Sequence, residues 1–171
     1  MSAPVSRCSE RSPIEYVWAA GPGSKSHIEA AVDALMNTLR GDGRQWGPYN
    51  EPLARTEFRR RLEAAERGEL EPVDEVDDLK TGTAGWLYEI RWSGISVRYL
   101  DEEGKPAYYD AEVRAIHGEP PRLPMHVIGV HVHEKVWWND DPARTEAAQN
   151  AEIQLAVGKF WGLEPSNWGL V

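Results

Sequence analysis

Residues 127–136, VIGVHVHEKV, contain two imidazoles and an ammonium at alternate positions. Side chains alternate along a strand. Ile128, Val130, Val132 and Val136 therefore form an apolar row, and His131, His133 and Lys135 form a polar one. Histidine moves protons near neutral pH, and an ammonium stabilises charge developing at phosphorus. Such a row suits a phosphodiester. With RNA the substrate's own 2′-hydroxyl can be the nucleophile, so neither a metal nor a protein nucleophile is required. Two imidazoles on one strand also allow a second reading, a metal site completed by Glu89 or another carboxylate. Lys135 on the same face opposes a cation there.

These residues need a sheet. Residues 14–20 read as a first strand, rich in aromatic and β-branched side chains. Ser26 and Glu29 have capping-box spacing, and Ile28, Val32, Leu35, Met36 and Leu39 follow at helical intervals. A second helix spans 53–66, with Leu53, Phe58 and Leu62 inward. Strands follow at 86–92 and 95–100, separated by a turn at Ser93 and Gly94. A hairpin turn at 101–106, a further possible strand at 108–116 and a proline-rich break at 118–124 precede the histidine strand. A last helix covers 144–160. The order β-α-α-β-β-(β)-β-α predicts an α+β domain, a small antiparallel sheet with its helices packed on one face. With Tyr88, Ile90, Val97 and Tyr99 toward those helices, Glu89, Arg91, Arg98, His131, His133 and Lys135 share the open face.

At 171 residues the chain has the length of one domain, read as a flexible stretch over 1–13 and a single unit over 14–171. No apolar run approaches a membrane span, and the first residues carry no secretory pattern, which points to the cytoplasm. Cys8 is the single cysteine, so no intrachain disulfide forms. It sits in a polar segment that reads as frayed. His27, His117 and His126 read as solvent or turn residues. The net charge of −9 excludes broad non-specific nucleic-acid binding, though not a local cationic site. Six acids and no base occupy 69–78, just after Arg59, Arg60 and Arg61. That acidic run is a candidate partner surface. A phosphate-binding glycine loop and a nucleophile elbow are both missing.

Four segments, in their order, resemble the RelE/HigB-like superfamily of toxin–antitoxin toxins. They are DLKTG (78–82) with GWLYEIR (85–91), ISVRY (95–99), VIGVHVHEK (127–135), and RT (144–145) with QNAEIQLA (149–156). The resemblance implies a small α+β toxin fold that cleaves mRNA at the ribosome through basic residues on the sheet face, without a metal or other cofactor. It places phosphate binding and transition-state charge on Arg91, Arg98 and Lys135, adds Lys80 as a basic position, and makes His131 or His133 the proton-transfer group. A neighbouring antitoxin is the implied partner. The chain departs from the family in its length, its acidity and an apparent insertion over 101–124. Two alternatives share the scaffold: a non-catalytic protein-interaction module and a gyrase-directed relative. The metal enzyme on His131 and His133 is a third.

Overall fold

The computed structural model describes residues 5–41, 43–79 and 86–170. Its elements run β1 (Glu15–Trp18), α1 (His27–Thr38), β2 (Arg44–Gln45), α2 (Asn50–Glu66), β3 (Val76–Asp78), β4 (Leu87–Leu100), β5 (Pro106–Gly118), β6 (His126–Lys135) and α3 (Pro142–Gly162). Short 3-10 turns, Arg7–Ser9 and Glu164–Gly169, lie at the two ends. The class is α+β, as the element order predicts. The sheet is mixed rather than antiparallel. It has six strands in the order β1-β6-β5-β4-β2, with β3 also on β4, and β1 runs parallel to β6. No helix among the described residues is long and apolar enough to cross a membrane.

Ser26 caps α1 by accepting from the Glu29 amide at 3.1 Å, as its spacing predicts. In α2 the buried positions are Ala54, Phe58, Leu62 and Ala65, at helical spacing. Leu53, expected inward, lies one position off that stripe and is 69% exposed. Both helices pack on one sheet face, against Tyr16, Tyr88, Ile90, Trp92, Val97 and Val113.

The helices do not all share that face. On the other side Val17, Leu87, Ile116, Ile128 and Val130 need cover too, and α3 supplies it with Ile153, Ala156 and Phe160. Two bulges explain the arrangement. In β6 the register against β5 shifts between Ile116 and His117. Val130 is the extra residue, so Ile128 and Val130 join the α3 side while Val132 packs toward α1 and α2. The apolar row of the sequence reading is thus split between two cores. In β4 the shift falls between Trp92 and Ile95. Gly94, at φ +74°, lets Ser93 and Gly94 bulge instead of reversing the chain. The two strands expected there are one.

The stretch expected to be an insertion holds the centre of the sheet. β5 pairs with β4 along one edge and β6 along the other. Within the segment read as flexible, Ser6, Arg7 and Cys8 are docked. Ser6 and Cys8 are buried, and the Glu119 carboxylate accepts from the Arg7 amide at 2.9 Å and the Ser6 hydroxyl at 2.5 Å.

Candidate active site on the sheet face

Strand register brings a polar row together. Arg91 on β4 stands opposite Arg114 on β5, and Arg114 stands opposite His133 on β6. One step along, Glu112 faces Lys135; one step the other way, Glu89 faces Ile116, which faces His131. All of these side chains lie on the α3 side. Glu89, almost fully buried, is the anionic centre. Its Oε1 accepts from Arg91 Nε at 2.9 Å and lies 3.7 Å from Arg114 Nε. Arg91 also binds the Asp77 carboxylate at 2.8 Å and the Val73 carbonyl, and Arg114 reaches Glu112 at 3.4 Å. Burial lowers the Arg114 pKa, opposed by the charges of Glu89 and Glu112. Among the described residues, three buried atoms of this row have no hydrogen-bond partner: Glu89 Oε2, Arg114 Nε and His133 Nε2. Buried polar atoms are normally paired, so three together mark a place where a ligand could supply the partner.

The histidines are not an open row. α3 lies over them. His131 donates from Nε2 to Glu152 at 2.5 Å and accepts at Nδ1 from Lys159 at 2.8 Å, so both ring nitrogens are occupied. His133 is 5% exposed, with its ring stacked on that of His131 at 6.0 Å. Burial holds the His133 pKa below its ordinary value, against the opposing charge of Glu152. The imidazole is therefore neutral at pH 7. A cavity of about 140 Å³ between β6 and α3 still reaches it, lined also by Lys135, Trp138, Gln149 and Glu152. Beside it a groove of about 350 Å³ runs past Lys135, Trp137 and Trp138. Lys135 stands between the two, its ammonium 4.1 Å from the Trp137 ring centroid. Its pKa is lowered by burial and by repulsion from Arg114.

The structure thus joins Arg91, His133 and Lys135 with Glu89, keeps His131 near but engaged, and separates Arg98, which lies toward the far end of β4. Lys80 falls outside the described residues. Arg114 is the residue that sequence reasoning missed. Its signal was the alternation of Glu112, Arg114 and Ile116 in a segment read as an insertion. The acidic run is partly spent inside the molecule, since Glu75 pairs with Arg61 and Asp77 with Arg91.

Among the described residues one group of potential metal ligands converges: Cys8, His117 and Glu119, with donor atoms within 4.8 Å of one another. His131 and His133 do not belong to such a group. His117, expected at a turn, is fully buried. It lies 3.0 Å from Glu119 and 3.8 Å from the Cys8 sulfur, and it stacks on Tyr88. Glu119 is already bound by Ser6, Arg7 and His117. These contacts read as a pin that holds the chain start to the end of β5. Burial alone would lower the His117 pKa, but Cys8 and Glu119 outweigh it and raise it to about 9. Glu119 is shifted down, its burial overcome by His117, the Ser6 hydroxyl and the Arg7 amide.

The sign of the pH effect follows. A raised histidine stabilises the fold below its unfolded pKa of about 6.5, and that contribution is lost as pH rises through the folded value. A lowered carboxylate stabilises above its unfolded pKa of about 4.3 and loses that contribution on acidification. Urea midpoints should therefore fall from pH 7 to pH 10. His117→Gln should flatten that alkaline loss. An unchanged alkaline limb in the variant would show that His117 is not its source.

No protein-family model, curated protein or solved structure matches this chain. The site must be read from its own geometry. It defines a mixed-sheet α+β protein with a cationic row over one buried carboxylate and a neutral histidine at the end of a narrow cavity.

Proposed function

We propose that the protein is a metal-independent endoribonuclease that cleaves mRNA at the ribosome, as the toxin of a toxin–antitoxin pair in the cytoplasm. One observation carries this reading: the Arg91–Arg114–His133 row, flanked by Lys135, on a single sheet face. A phosphodiester takes two forked guanidinium groups on its non-bridging oxygens. Neutral His133 accepts the proton of the 2′-hydroxyl as its oxygen attacks phosphorus. The bond to the 5′-oxygen breaks, and Lys135, with its lowered pKa, donates the proton that the leaving oxygen takes. The products are a 2′,3′-cyclic phosphate and a 5′-hydroxyl end. His131 serves as a positioning residue, held by Glu152 and Lys159 against the His133 ring. The α+β class of the fold is compatible with the toxin resemblance.

A second reading has an observation of its own. Glu89, Asp77 and Glu112 already neutralise Arg91 and Arg114, and the chain carries −9. That balance suits a protein-interaction module on the same scaffold, the antitoxin-like partner being its only ligand.

Cleavage of mRNA in a cell-free translation system, with its magnesium kept in place and a chelator selective for zinc and other transition metals added, separates the two. Ribosome-dependent cuts should appear with the wild type and disappear with Lys135→Ala and Arg91→Ala. Intact mRNA beside folded wild-type protein would leave the interaction module. Cuts that vanish with chelator would overturn the metal-free chemistry.

A further inference from the structure

A second polar row crosses the same sheet face farther along β4. Gln45 stands opposite Arg98, and Arg98 opposite Tyr108. Arg98 lies about 20 Å along β4 from Arg91, at some 3.3 Å per residue less the bulge. The turn from Trp46 into α2 walls this row and borders an open cavity of about 500 Å³. That volume is in the ordinary range for small-ligand sites.

The chemistry of the cavity is specific. Gln45 Oε1 and Arg98 Nε are buried without hydrogen-bond partners, one an acceptor and the other a donor. Arg98 forms no ion pair among the described residues, unlike Arg91 and Arg114. Tyr108 is 66% exposed and Tyr49 is 86% exposed, so two aromatic rings are held out in water beside that pair. Tyr49 is also the N-cap of α2 and makes no side-chain capping bond, while Glu51 supplies a carboxylate in the first turn of that helix. A ligand that uses the two rings and the unpartnered atoms offers a flat π-face for the tyrosines, an edge with both a donor and an acceptor for Arg98 and Gln45, and a negative charge for the Arg98 cation. Aromatic stacking with hydrogen bonds to a base edge is how proteins hold unpaired nucleotides.

We infer that the Gln45–Arg98–Tyr108 cavity binds one unstacked nucleotide of a single-stranded RNA, apart from the Arg91–Arg114–His133 row. The inference rests on the proposed action on RNA for its biological ligand, but the nucleotide site stands on its own geometry. Substitutions here change which RNA is held, and substitutions at the other row change whether it is cut.

Titration of the full-length protein with the four ribonucleoside monophosphates, followed by calorimetry, tests it. Saturable binding of at least one is expected. Tyr108→Ala and Arg98→Ala should each weaken it by about tenfold, the range found for loss of a stacked base. Tyr108 is exposed, so its removal leaves the fold intact, and circular dichroism checks both variants. Leu155→Ala, an exposed position on α3 outside both rows, should bind the monophosphate like the wild type. No binding at millimolar nucleotide, or binding that neither Tyr108→Ala nor Arg98→Ala alters, would overturn the inference. Wild-type protein that binds nucleotide through this cavity yet leaves mRNA intact would sink the cleavage reading alone. Cleavage with no nucleotide bound would sink the cavity alone.

Discussion

Phe160→Ala should lower the stability of the fold by about 3–5 kcal/mol, the usual cost of emptying a fully buried aromatic site. Phe160 is completely buried and sits directly over Gly118, where an added Cβ would lie 2.0 Å from the ring. The ring fills the space that the glycine leaves. It also meets Trp161 edge-on and stacks on Trp168, each at 5.0 Å between centroids, and the Trp168 indole donates to its carbonyl at 2.8 Å. Few other buried side chains tie α3 to the sheet, Ile153 and Ala156 chief among them. Truncation leaves a hole that the small Gly118 cannot fill. Because α3 also carries Glu152 and Lys159, the hydrogen bonds that hold His131 should loosen with it. Urea denaturation gives the energy, and the His131 ring signals in an NMR spectrum report the second effect. A loss under about 1 kcal/mol would mean that α3 is held by something other than this contact.

The parts of the fold that were legible in the sequence are those governed by local rules. Ser26 and Glu29 declared the start of α1, and alternation in β4 placed Tyr88 and Ile90 against Glu89 and Arg91. What failed depended on partners distant in sequence. A bulge changes the parity of a strand, and nothing in VIGVHVHEKV shows that Val130 is an extra residue until β5 is laid beside it. The same register decides that Arg114 faces His133. The β5 segment was legible as a possible strand, yet its turn-rich flanks at 101–106 and 118–124 made it resemble an insertion. The docking of Ser6 and Arg7 rests on Glu119, more than a hundred positions away. Polar residues in 1–13 look like a tail when that carboxylate is unknown. The faces of β4 survived because each half was read separately, which happened to respect the bulge at Gly94.

The resulting electrostatics reconcile an acidic protein with a cationic site. Most arginines on α2 are matched: Arg55 pairs with Asp33, Arg59 with Glu29 and Arg61 with Glu75. Such exposed or half-exposed pairs add little stability. The Glu89 cluster differs because it is buried. There one carboxylate lies 2.9 Å from Arg91 Nε and 3.7 Å from Arg114 Nε and holds both guanidinium groups beside it. A phosphodiester would then meet two positioned guanidinium groups and would compete with Glu112, Asp77 and the Val73, Trp92 and Val113 carbonyls for their N–H groups. Preorganised donors of this type contribute more to catalysis than the same charges on mobile chains.

Arg114→Ala follows from that geometry as the substitution with the largest expected effect on RNA cleavage. Loss of one preorganised donor at developing negative charge typically slows a reaction roughly a hundred- to a thousandfold. Arg114 is the middle member of the row, so its removal breaks the continuity between Arg91 and His133. Glu89 keeps Arg91 as a partner at 2.9 Å, which protects the fold better than removal of Glu89 would. Arg114→Lys restores the charge but not the two-pronged donor, and should recover only part of the rate. The pH profile identifies the base. Burial lowers the His133 pKa, so its neutral, proton-accepting form persists below the ordinary histidine value of about 6.5. The rate should hold as pH falls through 6.5 and drop only at lower pH. His133→Gln should cut the rate and remove that acid limb, while the Arg114 variants keep it. An acid limb that survives in His133→Gln would assign the proton transfer to another group. Arg114→Ala with wild-type cleavage would show that the row across β4, β5 and β6 is a structural ion-pair ladder and not a phosphodiester site.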